Sequence, residues 1–203
     1  HKVAGVVLFD LGTGATPEVR DWAKYGILNQ GSVIFKVGTQ HYVVAVGIDD
    51  SCGNASGLWA INNIDSPTFL QCLEADGAPF KVGGGVSFKH STGTYLYLGG
   101  GILGDTRVFQ ASGTGTGLRL THTATPAGMK GRTGQLSVDG NYKILASAVF
   151  ADRVIRFWDV AANPANPSPK TSWTMNATAG SVKLASASSS SPSPRLLPSR
   201  PTQ

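Results

Sequence analysis

The stretch GGVSFKHSTGTYLYLGGGILGDTRVFQASGTGTGLRLTHT, Gly84 to Thr123, decides the fold of this chain. Its apolar residues fall in short alternating runs, Val86–Lys89, Thr94–Gly99, Thr106–Gln110 and Leu118–Thr123. Nowhere do they follow the i, i+3, i+4 rhythm that would give a helix an apolar stripe. The Gly, Ser and Asp clusters between the runs read as turns. The unit is therefore predicted to be four strands.

Its opening phrase recurs along the chain: GSVIF at Gly31–Phe35, GGVSF at Gly84–Phe88, GQLSV at Gly134–Val138 and GSVKL at Gly180–Leu184. A spacing of about 50 residues is that of one supersecondary unit per copy. The third copy predicts strands at Gln135–Val138, Tyr142–Ser147, Arg153–Val160 and around Ser172–Met175. The first predicts Ser32–Lys36, His41–Val46, Gly57–Ile61 and Phe69–Leu73, and Val6–Asp10 with Val19–Lys24 read as the last two strands of an earlier unit.

Four antiparallel strands repeated at this interval are the signature of an all-β fold, the β-propeller of four-stranded blades. About three and a half blades fall within residues 1–185, with blade starts near 31, 84, 134 and 180. Propellers close with roughly 4 to 8 blades. The expectation is thus a partial ring completed by a partner or by self-association, or a ring of four in which the terminal strands share a closing blade. Residues 186–203, SASSSSPSPRLLPSRPTQ, lack the apolar surface to order themselves and read as a flexible tail.

The 26 glycines and 14% charged residues fit a turn-rich β protein. The net charge is +5, and the Lys and Arg residues are scattered singly rather than gathered in runs, which argues against a nucleic-acid partner. There is no apolar stretch of about eighteen residues, so no membrane-spanning helix is expected. Cys52 falls in the loop after the second strand of its unit and Cys72 in the fourth. A disulfide staple and a pair of free thiols both fit that placement. The sequons Asn54-Ala55-Ser56 and Asn176-Ala177-Thr178 make Asn54 and Asn176 glycosylation candidates and favour an extracellular or cell-surface location.

After third strands the chain repeatedly enters an Asp or Asn region and then a Pro-containing connection. The examples are Asp159 to Pro167 (DVAANPANP), Asp10 to Pro17 (DLGTGATP) and Asn63 to Thr68 (NIDSPT), preceded by VIRFWDV, VVLFD and GLWAI. Over about residues 4–180 this resembles the repeat of LVIVD-type propellers, a WD-like architecture, and the resemblance implies a secreted or cell-surface protein. The second unit has Gln110-Ala111-Ser112-Gly113 in place of the Asp and Pro. In such connections Asp accepts backbone N–H bonds and Pro sets φ, which are structural roles. Trp22, Trp59, Trp158 and Trp173 read as inter-blade packing, with sugar stacking as the alternative for an exposed one.

The search for chemistry returns little. His1, His41, His90 and His122 have no Cys, His or carboxylate at metal-ligand spacing, so neither a metal nor a cofactor is expected. No G-x-S-x-G nucleophile elbow occurs. Gly83-Gly84-Gly85 and Gly99-Gly100-Gly101 sit at strand edges and are not phosphate loops. Glycoside hydrolysis needs two converging carboxyl groups, and GTYLYLGGG resembles a strand of propeller glycosidases. Asp139 lies nearest an inner strand. Asp49-Asp50-Ser51 with Asn54 forms an oxygen-rich loop of the kind calcium favours, read here as solvated. The sequence reading is a non-catalytic extracellular propeller serving binding, adhesion or assembly, with a protein partner or self-association and carbohydrate as a further ligand class. A carbohydrate-active enzyme is the alternative. Recognition is expected on the loops between second and third strands, at Asp49, Asp50, Asn54, Asp105 and Asp152, because loops vary while the scaffold stays fixed.

Overall fold

The computed structural model describes residues 7–10, 18–21, 32–46, 52–53, 55–63, 66–100, 104–130, 136–138, 143–149 and 154–174. Within them the chain is all-β, built of three four-stranded antiparallel sheets and two two-stranded ladders. The first sheet comprises β3 (Val33–Val37), β4 (Gln40–Val46), β5 (Ser56–Ala60) and β6 (Thr68–Cys72). The second comprises β9 (Val82–His90), β10 (Gly93–Gly100), β11 (Thr106–Ser112) and β12 (Arg119–Ala124). The third comprises β13 (Leu136–Val138), β14 (Ile144–Val149), β15 (Val154–Asp159) and β16 (Ser168–Thr174). In each sheet the strands pair in chain order, as a meander. The expected N-terminal strands are present as the ladder β1 (Val7–Asp10) and β2 (Glu18–Asp21). The fourth repeat start and the Ser/Pro tail lie outside the described residues.

Alternation along the strands explains how the sheets stack. On β10, Leu96 and Leu98 join a core with Val33, Phe35, Tyr42, Val44 and Leu58 of the first sheet, while Tyr95 and Tyr97 join a second core with Leu145, Trp158 and Val160 of the third. A period of two sends neighbouring side chains to opposite faces, so the second sheet is sandwiched between the other two. A third cluster, Val43, Ala45, Trp59 and Ile61, occupies the opposite face of the first sheet. The first strands also meet one another, β9 lying against both β3 and β13. Each fully buried large apolar side chain contributes about 1.5–3 kcal/mol, so these faces hold the stack together.

Two features depart from the sequence reading. Gly83-Gly84-Gly85 lies inside β9 rather than at its edge, and β9 begins four residues earlier than expected. The reason is close backbone approach: a Cβ on Gly85 would run into the carbonyl oxygen of Tyr97 on the paired strand. The second is an unexpected hairpin between the first two sheets, β7 (Glu74–Ala75) with β8 (Ala78–Pro79). Its turn residues Asp76 and Gly77 have φ of 53° and 75°, the double positive φ of a type I′ turn that Asp-Gly favours.

The turn chemistry assigned to Asp159 is present. Its Oδ1 accepts the N–H groups of Ala161 (3.0 Å) and Ala162 (3.4 Å), and Asn163 Oδ1 accepts that of Asn166 (3.2 Å). The connection they shape docks on the second sheet, where Tyr97 donates its hydroxyl to the Pro164 carbonyl at 2.6 Å and Thr123 donates to that of Ala165 at 2.9 Å. Burial, with Tyr95 adjacent, pushes the Tyr97 phenol well above the ordinary tyrosine range. In the second sheet, Gly113 and Gly115, both at positive φ, and a 3-10 turn at Gly115–Gly117 replace the Asp-Pro connection.

Candidate functional site

Because each sheet is a meander, the loops between second and third strands emerge at the same end as the connections between sheets. Backbone and side-chain bonds gather them there. Ser56 N–H donates to the Phe80 carbonyl, and Ser56 Oγ accepts the Val82 N–H at 2.9 Å. Thr106 N–H donates to the Met129 carbonyl, and Asp105 bridges Lys130. The disulfide Cys52–Cys72, with Cα atoms 5.3 Å apart, pins the β4–β5 loop to the end of β6. Of the two readings that the sequence left open for these cysteines, the staple is the one present.

Asp105 is the one predicted loop residue that falls among the described residues, and its side chain is 47% exposed. Asp49, Asp50, Asn54, Asp152 and Asn176 lie outside them. Asp105 belongs to a polar cluster that sequence reasoning missed. Arg107 Nε stands 2.8 Å from Asp76 Oδ2, and its Nη1 stands 4.0 Å from Asp105 Oδ2 while donating to the Asp105 carbonyl at 3.2 Å. The guanidinium also lies 5.7 Å from the centre of the Phe80 ring, within reach of a cation–π contact. Four elements thus converge on one arginine: the hairpin turn, the β10–β11 loop, β11 itself and the approach to β9.

His122 completes the cluster. Its Nε2 is 2.9 Å from the Ala124 carbonyl, which can only accept, so that nitrogen carries the hydrogen and Nδ1 is left as an acceptor facing the Asp76 N–H at 3.5 Å. Thr125 Oγ1 is 3.1 Å from Nε2 and donates to Asp76 Oδ2 at 3.0 Å. The hydrogen of Thr125 therefore points to the carboxylate, and the histidine gives to the hydroxyl rather than taking from it. That is the reverse of what a nucleophile–base pair requires. The cluster works as a lock. One part of it was legible beforehand, since Asp76-Gly77 is a hairpin signal; nothing in the sequence pairs Arg107 with Asp76 across the 30 intervening positions.

Two further surfaces have the size of ligand grooves. One, of about 520 Å³, opens at the opposite end between the β3–β4 and β9–β10 turns and is lined by Val37, Ser87, Lys89 and Thr94 among others. The second, of about 470 Å³, lies along Arg156, Trp158, Pro169 and Ser172. Neither has a carboxylate in its lining. Among the tryptophans, Trp158 is buried between the second and third sheets, Trp59 is buried in the cluster on the other face of the first sheet, Trp173 is 61% exposed, and Trp22 lies outside the described residues. Among the described residues, no group of three or more His, Cys, Asp or Glu is placed to hold a metal, and no helix is long and apolar enough to cross a membrane. Comparison with protein-family models and with curated proteins returns no match for this chain.

Proposed function

We propose that the chain is a non-catalytic, extracellular β-propeller segment, of a repeat similar to the LVIVD type, that binds partners through the end at which its interstrand loops gather. The propeller reading is supported by three meander sheets stacked face to face with β9 against both β3 and β13, which is the relation that radial blades require. The extracellular reading is supported by the disulfide and by the two sequons.

The observation that carries the functional reading is the lock around Arg107. It fixes loops from several elements into one exposed, preformed surface bearing Asp76, Asp105 and Lys130, and preformed surfaces bind at lower entropic cost. Its partners are proteins or glycans. The test is a glycan array run beside a panel of chromogenic glycosides, with the unmodified chain, Arg107→Glu and Asp105→Asn. Retention without turnover, weakened by Arg107→Glu, is the expected result. Turnover that vanishes in Asp105→Asn would instead establish a carbohydrate-active enzyme.

A further inference from the structure

Where the apolar contact between the first two sheets ends, the groove of about 520 Å³ opens, a size within the roughly 300–1,000 Å³ of small-ligand sites. Register explains its position. Thr94 pairs with Lys89 on one side and with Ala111 on the other. Residues directly opposite each other share a face, and by parity along β10 this row lies on the face of Leu96 and Leu98, directed at the first sheet. The row sits one step beyond the last leucine, so it faces the end of β3 and the Gly38 turn across the groove. Ser87, paired with Leu96, shares the face, and Lys36 lies on the first-sheet side.

The charged groups of this groove are of one sign. Among the described residues its lining holds Lys36, Lys89 and His90 but no Asp or Glu. Arg107 and Lys170, by contrast, stand 2.8 Å from Asp76 and 3.9 Å from Asp159; Lys36 and Lys89 have no carboxylate partner among the described residues. Two ammonium groups brought to one groove from different sheets repel each other, and a cleft walled by protein focuses their field on an anion. His90 is preset as a further donor. Its Nδ1 accepts the Thr92 N–H at 3.3 Å, so in the neutral ring the hydrogen sits on Nε2, which has no acceptor among the described residues. The turn that carries it is braced: Thr92 Oγ1 lies 2.9 Å from both His90 Nδ1 and the Tyr95 hydroxyl, and Gln110 donates to the Thr92 carbonyl at 3.3 Å.

From this geometry we infer that the groove binds an anionic saccharide, a sugar carrying a sulfate or phosphate ester. The site lies at the end of the stack opposite the loop surface proposed above and does not depend on it. The ammonium groups of Lys36 and Lys89 hold the ester oxygens through charge-assisted hydrogen bonds. The hydroxyls of Ser87 and Thr94, on the same face as Lys89, meet sugar hydroxyls, to which they can donate or from which they can accept. Half-buried Val37 and Ala111 give the sugar ring an apolar edge. A neutral sugar leaves both cations unanswered, and a bare inorganic anion leaves the hydroxyl-bearing wall without a partner.

The experiment is calorimetric titration of the full chain with a sulfated disaccharide, a phosphorylated disaccharide, the unmodified disaccharide and inorganic sulfate. One of the two esters is expected to bind at least about tenfold more tightly than the unmodified sugar or the inorganic ion, the worth of one charge-assisted hydrogen bond; which ester binds tighter names the source of the anion. Lys36→Glu and Lys89→Glu are each expected to weaken that binding at least about tenfold, Lys89→Arg to retain it, and added salt to weaken it. Both lysines are exposed, and circular dichroism checks that the variants keep their strands. Equal binding of the unmodified sugar overturns the proposal. So does inorganic sulfate bound as tightly as the esters, which marks an adventitious ion only, and so do anionic lipid vesicles or a phosphopeptide held more tightly than either ester. Binding that survives Lys36→Glu and Lys89→Glu also overturns it. Arg107→Glu leaves ester binding here unchanged, so failure of the loop-end reading is seen separately.

Discussion

The contact between the first and second sheets and the contact between the second and third are built from different materials. The first buries a run of aliphatic and aromatic residues from Val33 to Leu120, folds the β7–β8 hairpin into it through Leu73, Ala75 and Phe80, and stands beside the Cys52–Cys72 staple. Among the described residues the second is smaller and relies on aromatic residues with polar handles: Tyr97 bonded to Pro164, and Trp158 donating Nε1–H to Ser147 Oγ at 2.9 Å. Both use alternate residues of one strand, β10. The lesson is that a single alternating strand can serve two interfaces of unlike character, one held by burial area and a covalent link, the other by fewer residues whose hydrogen bonds fix their geometry.

The most severe way to break that contrast is to hollow out the first contact. Phe109 is fully buried between the sheets, 5.7 Å from Phe80, and Phe109→Ala is expected to cost about 3–5 kcal/mol, read from the midpoint of urea unfolding. Removing the covalent link comes next. The disulfide spans 20 residues, and Cys52→Ser with Cys72→Ser is expected to lower stability by about 3 kcal/mol. Adding reductant to the unmodified chain should reproduce the loss and leave the double variant unaffected; a stability indifferent to reductant would remove the staple from the account.

Tyr97→Phe tests the second contact. Losing the hydroxyl leaves the Pro164 carbonyl without its donor, and about 1–2 kcal/mol is expected. The same residue gives a pH signature. Its folded pKa is raised above the ordinary tyrosine value of about 10, so below that value both folded and unfolded states keep the proton and the contact is fully present. Above it the unfolded chain ionises first, and stability falls as pH rises. Tyr97→Phe should flatten that alkaline decline, measured as unfolding free energy from pH 9 upward. The smallest effect is expected at the loop end. Asp76 is half exposed beside Arg107, so Asp76→Asn should change stability by about 0.5–1 kcal/mol and less in high salt, while its effect on partner retention is larger if the cluster is a recognition surface.

Much of the architecture is legible in the residues themselves. Alternating runs bounded by Gly, Ser and Asp give the strands of three units, and the Asp159 connection can be assigned its backbone bonds in advance, because turns and strands are local and their chemistry is carried within a few positions. The Cys52 and Cys72 positions make a staple conceivable in the same way. The Asp76 hairpin was equally local and its Asp-Gly signal was there to read.

What only the tertiary structure decided is which local pieces meet. Period-two alternation says that a strand has two faces; it does not say that Leu98 meets the first sheet and Tyr97 the third. Glycines inside β9 read as a strand edge until the Tyr97 backbone is brought against them. The lock of Asp76, Arg107, His122 and Thr125 joins residues from separate strands and turns. Sequence carries the short-range preferences of each backbone segment, whereas contacts between distant segments depend on how whole sheets stack, a property that no single window of residues contains.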